Sequence, residues 1–265
     1  MILWQGVESI NAFWLSRKQK YAILCEDNVS CNAVSKIFSR DDVETIVGSG
    51  WKFVTTRIDE FSETCAKKNK LMLGFIDRDY WHFRDEFNLL ANKKLVYTDL
   101  RDIEIDLLES KAFIDFLQEK KPALSAKADD IRNSIYNNLY AIGKIRVYNH
   151  IYQKEWDFPD VIDYIEKNTF NYSKWETRFR QINKIKTIDY TKFKEWEEAK
   201  IFNPKEIIRG HDAVMILYEL LGIQYVKPKT KNAIVITIED CLSLCITKDF
   251  ISQFSWARLI NSLLK

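Results

Sequence analysis

Short apolar runs flanked by charged residues alternate with longer amphipathic segments over the first 110 positions of the chain. Two such runs lie at 21–25 and 71–76, and two further strand-like segments of mixed composition lie at 43–47 and 94–98. Apolar runs of this length that end in charge predict strands covered on both faces, as in parallel α/β sheets. Between them, apolar residues recur at steps of three and four, which predicts helices at 29–38, 51–67 and from 103 onward. The alternation predicts a doubly wound parallel α/β sheet.

Beyond about residue 110 the helical period dominates. Apolar positions from 131 to 145 lie on one helical face, and further helices are predicted at 158–167, 204–221 and 249–264. The β-branched segment 232–238 is compatible with a strand or a short helix. We therefore predict an α/β domain over 1–112 and a mainly α-helical C-terminal domain over 113–265.

Composition excludes several classes of protein. Glycine (7) and proline (4) are scarce, which argues against a β-sandwich or a flexible linker, and the net charge of +2 decides little. The five cysteines include no Cys-x-x-Cys motif, so neither a disulfide framework nor a zinc site is indicated. No signal-like leader and no apolar run of about 20 residues is present, so we expect a cytoplasmic protein without membrane contact.

Acidic residues follow two of the predicted strands. Glu26 comes directly after the first, and Asp77 and Asp79 come directly after the third. If these strands are neighbours, their carboxylates converge in the crevice beyond the carboxyl ends of the sheet, where open α/β folds bind ligands. Hard oxygen ligands of this kind suit Mg²⁺ or Mn²⁺. We therefore expect these three residues to be metal-binding and catalytic.

The segment after the fourth strand can complete such a site. Glu104, and less strongly Asp102, are further candidate ligands, and Arg101 can meet a scissile phosphate bidentately. The alternative is that acids at strand ends, such as Asp27, Asp77 and Asp99, cap helices and that the others lie in solvated turns. Burying that much like charge without a cation would be costly.

These residues resemble the toprim fold, whose signature is a glutamate after the first strand and an Asp-x-Asp after a later one. Glu26 and Asp77-Arg-Asp79 match it, although Asp27 stands where a glycine often follows the glutamate. Within that fold, three segments are similar to toprim-like nucleases of bacterial anti-phage defence, with the effector nucleases of PARIS systems the nearest likeness: 73–80, 97–104 and 208–214.

The resemblance implies a metal-dependent endoribonuclease that acts in abortive infection. It implies that an ABC-type ATPase partner holds the nuclease inactive until phage proteins are sensed, and that the target is host tRNA. The resemblance leaves open the cleavage position, the number of metal ions, the oligomeric state (a homodimer included) and whether Glu26 is a ligand or a proton shuttle.

A basic stretch with interleaved aromatic residues lies between 174 and 194. It holds seven bases against Glu176 and Asp189, a local charge of +5. Such a stretch can follow a phosphate backbone while its rings stack on unpaired bases. A solvated helical face with buried aromatics is at least as well supported. The candidate nucleic-acid contacts are Arg178, Arg180, Lys184 and Lys186; a shorter patch comprises Lys227, Lys229 and Lys231.

Other functions compete with RNA cleavage. A toprim DNA nuclease would use the same acids. A haloacid dehalogenase-like phosphatase also places Asp-x-Asp after a strand, but there the pattern opens the fold and continues to Thr or Val, where this chain has Trp81. A non-enzymatic ATPase-binding module would keep its acids for structure. His211 and Asp212, adjacent on a predicted helix, are assigned to a core or interdomain hydrogen-bonding role rather than to catalysis.

Overall fold

The computed structural model describes residues 7–83, 94–166, 169–223 and 237–265. Its main sheet has four parallel strands in the order β2-β1-β3-β4. The strands are β1 (Tyr21–Cys25), β2 (Val43–Val47), β3 (Leu71–Ile76) and β4 (Leu95–Tyr97). All four strand predictions are confirmed, with β4 one residue shorter at each end. The protein is a mixed α/β chain.

Helices cover both faces of this sheet. On one face α1 (Val7–Leu15) and α3 (Trp51–Ala66) pack on Ala22, Leu24 and Met72. On the other face α2 (Asn28–Ile37) packs on the alternate strand residues. Strand residues that face apolar helices on both sides must themselves be apolar, which explains the uninterrupted runs in the sequence.

The rest of the described chain is largely helical. Its helices are α4 (Ile103–Glu109), α5 (Lys111–Lys120), α6 (Pro122–Ser125), α7 (Ala128–Ile151), α8 (Tyr172–Ile182), α9 (Thr187–Glu198), α10 (Pro204–Ile207), α11 (Gly210–Leu220), α12 (Ile238–Leu244) and α13 (Ser255–Leu263). The prediction of a continuous helix over 158–167 is wrong. That segment forms a 3₁₀ turn and then β5 (Ile165–Glu166), which pairs antiparallel with β6 (Thr169–Phe170).

The larger hydrophobic core contains side chains from both sides of residue 112. Phe75 of β3 contacts Trp256 of α13, with ring centroids 4.7 Å apart. Tyr80, which follows β3, donates a hydrogen bond of 2.9 Å from its hydroxyl to the carbonyl of Ile207. The helical half therefore packs directly on the sheet and on the segment that follows it.

Two expectations from the sequence fall outside the described residues. The patch of Lys227, Lys229 and Lys231 lies there, as does most of the segment 232–238, of which Ile238 begins α12. Among the helices that the structure describes, none combines the length and the apolar composition needed to cross a bilayer.

Candidate metal and phosphodiester site

Glu26 and Asp77 meet at the carboxyl edge of the sheet. Their strands, β1 and β3, are hydrogen-bonded neighbours, and the backbone amide of Glu26 donates to the carbonyl of Phe75 at 3.0 Å. The amide of Asp77 in turn donates to Glu26 Oε2 at 3.1 Å. Since parallel strands end on the same side of a sheet, strand pairing alone brings these two carboxylates together.

The start of α3 also faces Glu26. Gly50 precedes this helix with φ +89°, a left-handed backbone that glycine adopts at little cost. The turn leads the backbone amide of Trp51 to the Glu26 carboxyl group. Burial, with smaller contributions from the charges of Asp79 and Asp27, raises the pKa of Glu26 to about 7, although the two amides oppose the shift.

Asp77 lies among several other carboxyl groups. Its Oδ1 accepts a hydrogen bond of 3.1 Å from the amide of Ile103, the first residue of α4. Burial raises its pKa well above the usual range, and the charges of Glu104, Asp102 and Glu26 act in the same direction. The acid after β3 and the acids at the start of α4 therefore form one electrostatically coupled group.

Asp79 lies in a strained turn that is held by Arg101. Its φ of 47° is in the left-handed region, and its amide donates to the carbonyl of Arg101 at 2.7 Å. The guanidinium returns the contact, with Nη2 3.0 Å from Asp79 Oδ1, and it also pairs with Asp102. Because both the backbone and the side chain of Arg101 hold this turn, the unfavourable backbone conformation persists.

Arg101 does not have the position expected of a phosphate ligand. It is only 7% exposed, its guanidinium is shared between Asp79 and Asp102, and it lies 4.4 Å from the ring centroid of Tyr80. A substrate phosphate would have to displace a buried ion pair to reach it. The role that this geometry supports is to position the acidic turn.

Asp102 and Glu104 differ in how far the fold already uses them. Asp102 is the N-cap of α4, accepting from the amide of Ile105 at 3.2 Å, and its Oδ2 accepts from the amide of Gly210 at 2.8 Å. Glu104 is half-buried, and burial together with the charge of Asp102 raises its pKa well above the usual range. Glu104 is therefore the freer of the two candidate ligands.

Capping accounts for some of the strand-end acids. Asp27 caps α2 by accepting from the amide of Ser30 at 2.8 Å. Asp99 caps α13, accepting from the amides of Ser255 and Trp256. The alternative reading of these acids as structural groups thus holds for Asp27 and Asp99. Asp77 also accepts from the first amide of α4, and Glu26 faces the first amide of α3, so these two acids combine a contact to a helix N-terminus with their position at the sheet edge. Asp79 caps no helix and is paired with Arg101 instead.

Sequence reasoning missed two acids that the structure places near this group. Asp106 is buried and accepts from the amides of Asp99 and Leu100 and from the indole of Trp256; burial raises its pKa to about 8. Glu239, on α12, lies close enough to Glu104 for its charge to raise the pKa of Glu104. The capping box of Thr237 and Asp240 is a sequence signal for the start of α12, but nothing local indicates where that helix packs.

The donor chemistry suits a hard divalent cation, because several half-buried carboxyl groups lie at one edge of the sheet. Within the described ranges, however, no group of three or more His, Cys, Asp or Glu side chains is assembled at metal-binding distance. Glu26 Oε2 and Asp77 Oδ1 each accept a backbone hydrogen bond. A bound cation would therefore have to draw these side chains together.

The basic stretch between 174 and 194 forms a solvent-exposed face, and most of its aromatic rings are buried beneath that face. Trp175, Phe179 and Phe193 are at most 1% exposed, so they belong to the core and cannot stack on bases. Arg180 lies 4.2 Å from the ring centroid of Tyr190. The bases of this stretch form what we call the α8–α9 basic face, and its exposed members are Lys174, Arg178, Lys184, Lys186 and Lys192.

Comparison of the chain with protein-family models, with curated proteins and with solved structures finds no match. The fold and the contacts of its own residues are therefore the basis for any functional assignment.

We expect Asp77 and Asp79 to dominate the affinity for divalent cations. The double variant Asp77→Asn/Asp79→Asn should keep the fold but weaken Mn²⁺ binding by at least about 10-fold, since two charged oxygen ligands are lost. Isothermal titration calorimetry measures this directly, with Asp115→Asn on the surface of α5 as the matched control. Undiminished binding by the double variant would remove these residues from the site.

The pKa of Glu26 makes the stability of the metal-free protein depend on pH. Between its ordinary pKa of 4.5 and its raised pKa of about 7, the folded chain holds a proton that the unfolded chain has released. The contribution of Glu26 to the free energy of unfolding therefore decreases as pH rises through this window. Urea denaturation in EDTA at several pH values should show the decrease for the wild type relative to Glu26→Gln. A pH-independent difference between the two proteins would contradict it.

The α8–α9 basic face should contribute affinity for RNA without contributing to chemistry. Neutralising Arg178, Arg180, Lys184 and Lys186 together should weaken RNA binding and flatten its dependence on salt, because fewer counterions are released. The measurement is the slope of log affinity against log salt concentration. A control with the same charge change replaces four exposed bases elsewhere: Arg17, Lys18, Lys67 and Lys68. Equal slopes for the two quadruple variants would leave this face without a binding role.

Proposed function

We propose that the chain is a toprim-like, metal-dependent nuclease that hydrolyses RNA phosphodiester bonds. The observation that carries this proposal is the coupled acidic group at the carboxyl edge of a parallel sheet. Glu26, after β1, and Asp77, after β3, are joined by a backbone hydrogen bond, and burial together with the charges of neighbouring carboxylates raises the pKa of both. Carboxyl groups with raised pKa values, gathered at one sheet edge, are typical of functional sites.

The chemistry of phosphodiester hydrolysis explains why several carboxylates are needed. A divalent cation, when bound, neutralises the phosphate and stabilises the attacking and leaving oxygens. Glu26, Asp77, Asp79 and Glu104 would hold it. Asp102 and Arg101 hold the backbone around the site: Asp102 caps α4, and Arg101 fixes the turn of Asp79. The two amides at Glu26 hold its carboxyl group toward the same edge of the sheet.

The biological setting proposed here rests on the resemblance to anti-phage toprim nucleases. In that setting the substrate is tRNA of the host, cleavage stops growth of the infected cell, and an ABC-type ATPase controls the activity. The exposed bases of the α8–α9 basic face are suited to a phosphate backbone. A DNA substrate remains the competing proposal for the same acids.

Purified protein incubated with total cellular RNA, plasmid DNA and a generic phosphate monoester, each with Mg²⁺ and with EDTA, tests the proposal. Mg²⁺-dependent loss of RNA alone is the expected result, and tRNA should be the fraction affected. Cleavage of plasmid indicates the DNA nuclease. Hydrolysis of the monoester alone indicates the phosphatase.

Inactivity toward all three substrates, together with no Mn²⁺ binding that depends on Asp77, would indicate a non-enzymatic module. A proper negative control is Glu26→Ala prepared identically, because it excludes a contaminating ribonuclease.

A further inference from the structure

The start of α11 packs against the acidic group from the helical half of the chain. Its first residue, Gly210, donates from its amide to Asp102 Oδ2 at 2.8 Å. A side chain at this position would collide with the Asp102 carboxylate and would lie 2.5 Å from Glu104 Cβ. Only glycine permits this approach, so the residue that follows, His211, is held next to the candidate site.

His211 is oriented by a buried carboxylate. Its Nδ1 lies 3.5 Å from Glu239 Oε1, which is ion-pair distance. Glu239 is only 6% exposed, and its second oxygen, Oε2, has no hydrogen-bond partner among the described residues. Burial opposes ionisation of Glu239, but the contact with His211 and the backbone at the start of α12 outweigh it and lower the pKa of this carboxyl group.

Glu239 is not the residue that caps α12. The N-terminus of α12 is already capped by Thr237 and Asp240 through a complete capping box. Burying a charged group that is not needed for a cap costs stability unless it is paired. The partner that the fold supplies is His211, whose side chain is 44% exposed, so part of the ring is accessible to a ligand.

We propose that His211 is a substrate-contacting residue that donates from Nε2 to a phosphate oxygen of RNA, and that Glu239 is the positioning residue that holds its ring. This inference deepens the proposed function and rests on it. An imidazole whose Nδ1–H faces a carboxylate has a fixed orientation. When Nε2 is also protonated, the ring is a cationic donor beside the acidic group, where a phosphate needs one. It replaces the assignment of His211 to a core or interdomain hydrogen-bonding role. Asp212 has a core role, because it is buried and pairs with Arg146 of α7 at 2.8 Å within the helical half.

Two isosteric substitutions separate a substrate contact from a structural one. The amide nitrogen of His211→Gln reaches the position of Nε2, whereas that of His211→Asn reaches only the position of Nδ1. If His211 contacts the phosphate, His211→Asn should lower kcat/KM for RNA by about 10- to 100-fold, mainly through KM, and His211→Gln should lose less. If the ring serves only to pair Glu239, the order reverses.

The positioning role of Glu239 is tested by combining its substitution with that of His211. Glu239→Gln should lower kcat/KM in the wild-type background and have no further effect in the His211→Asn background, because a positioning residue acts only through the group that it holds. Thermal unfolding of each variant shows whether the fold is intact. Glu219→Gln, at the other end of α11, is the matched control and should behave as the wild type.

The outcomes distinguish this inference from the function on which it rests. A wild-type protein that cleaves RNA, with His211→Asn equally active, overturns the inference and leaves the proposed function standing. A further loss on adding Glu239→Gln to His211→Asn overturns the positioning role. A wild-type protein that neither binds nor cleaves RNA in the presence of Mg²⁺ overturns both.

Discussion

Glu26→Ala is expected to abolish RNA cleavage, by roughly 1,000-fold or more, while leaving the folded structure intact. The substitution removes a carboxylate from the acidic group without opening the core, because Glu26 follows β1 rather than belonging to its buried run. Removing one of several neighbouring acids also relieves repulsion among those that remain. The melting temperature without metal should therefore stay level or rise.

Activity and stability must be measured on the same preparation. Removal of a structural acid would lower the free energy of unfolding by about 1 kcal/mol, as the loss of a helix cap does. Removal of a catalytic acid would lower only the activity. Glu63→Ala, an exposed position on α3, is the matched control and should keep full activity. Retained RNA cleavage by well-folded Glu26→Ala would refute the nuclease mechanism.

Arg101→Met is expected to produce the largest loss of stability, about 3–5 kcal/mol in the free energy of unfolding. The guanidinium pairs with Asp79 and Asp102, and Asp102 is only 3% exposed. Removing Arg101 leaves an uncompensated charge in the interior, which costs more than the ion pair itself contributes. Denaturation by urea measures the loss.

The charge, rather than the volume of the side chain, should account for that loss. Adding Asp102→Asn to Arg101→Met should recover part of the stability, because asparagine keeps the helix cap without the buried charge. Arg57→Met, which breaks an exposed pair with Glu60, should change the free energy of unfolding by no more than about 0.5 kcal/mol. A loss under about 1 kcal/mol in Arg101→Met, or no recovery in the double variant, would contradict this account.

The sheet could be predicted from the sequence because its signals are local. A strand covered on both faces must be apolar throughout, so β1 and β3 are visible as runs, and helical periodicity locates α3 within one residue. The segment 158–167 could not be predicted in the same way. A 3₁₀ turn followed by two-residue strands leaves too few positions for either period to be recognised.

The candidate site could be predicted only in part from the sequence, for a related reason. Glu26 and Asp77 could be identified because strand ends converge by topology. The role of Asp102 depends on a contact with Gly210, and that of Arg101 depends on its pair with Asp79. The position of Glu239 depends on how α12 packs, so all three required the tertiary structure. The sequence of an amphipathic helix does not tell whether its aromatic rings face the core or a ligand. The exposure of Trp175 in the structure shows that its ring belongs to the core.

The hydrogen bonds of Asp99 and Asp106 to Ser255 and Trp256 have a consequence for biosynthesis. These donors lie about 150 positions further along the chain than their acceptors. At a synthesis rate of roughly 5–20 residues per second, the ribosome needs on the order of ten seconds or more to reach them after β4 has been made. Until then the segment that follows β4 lacks these anchors, so a nascent chain with all four strands translated does not yet have the fully anchored acidic edge.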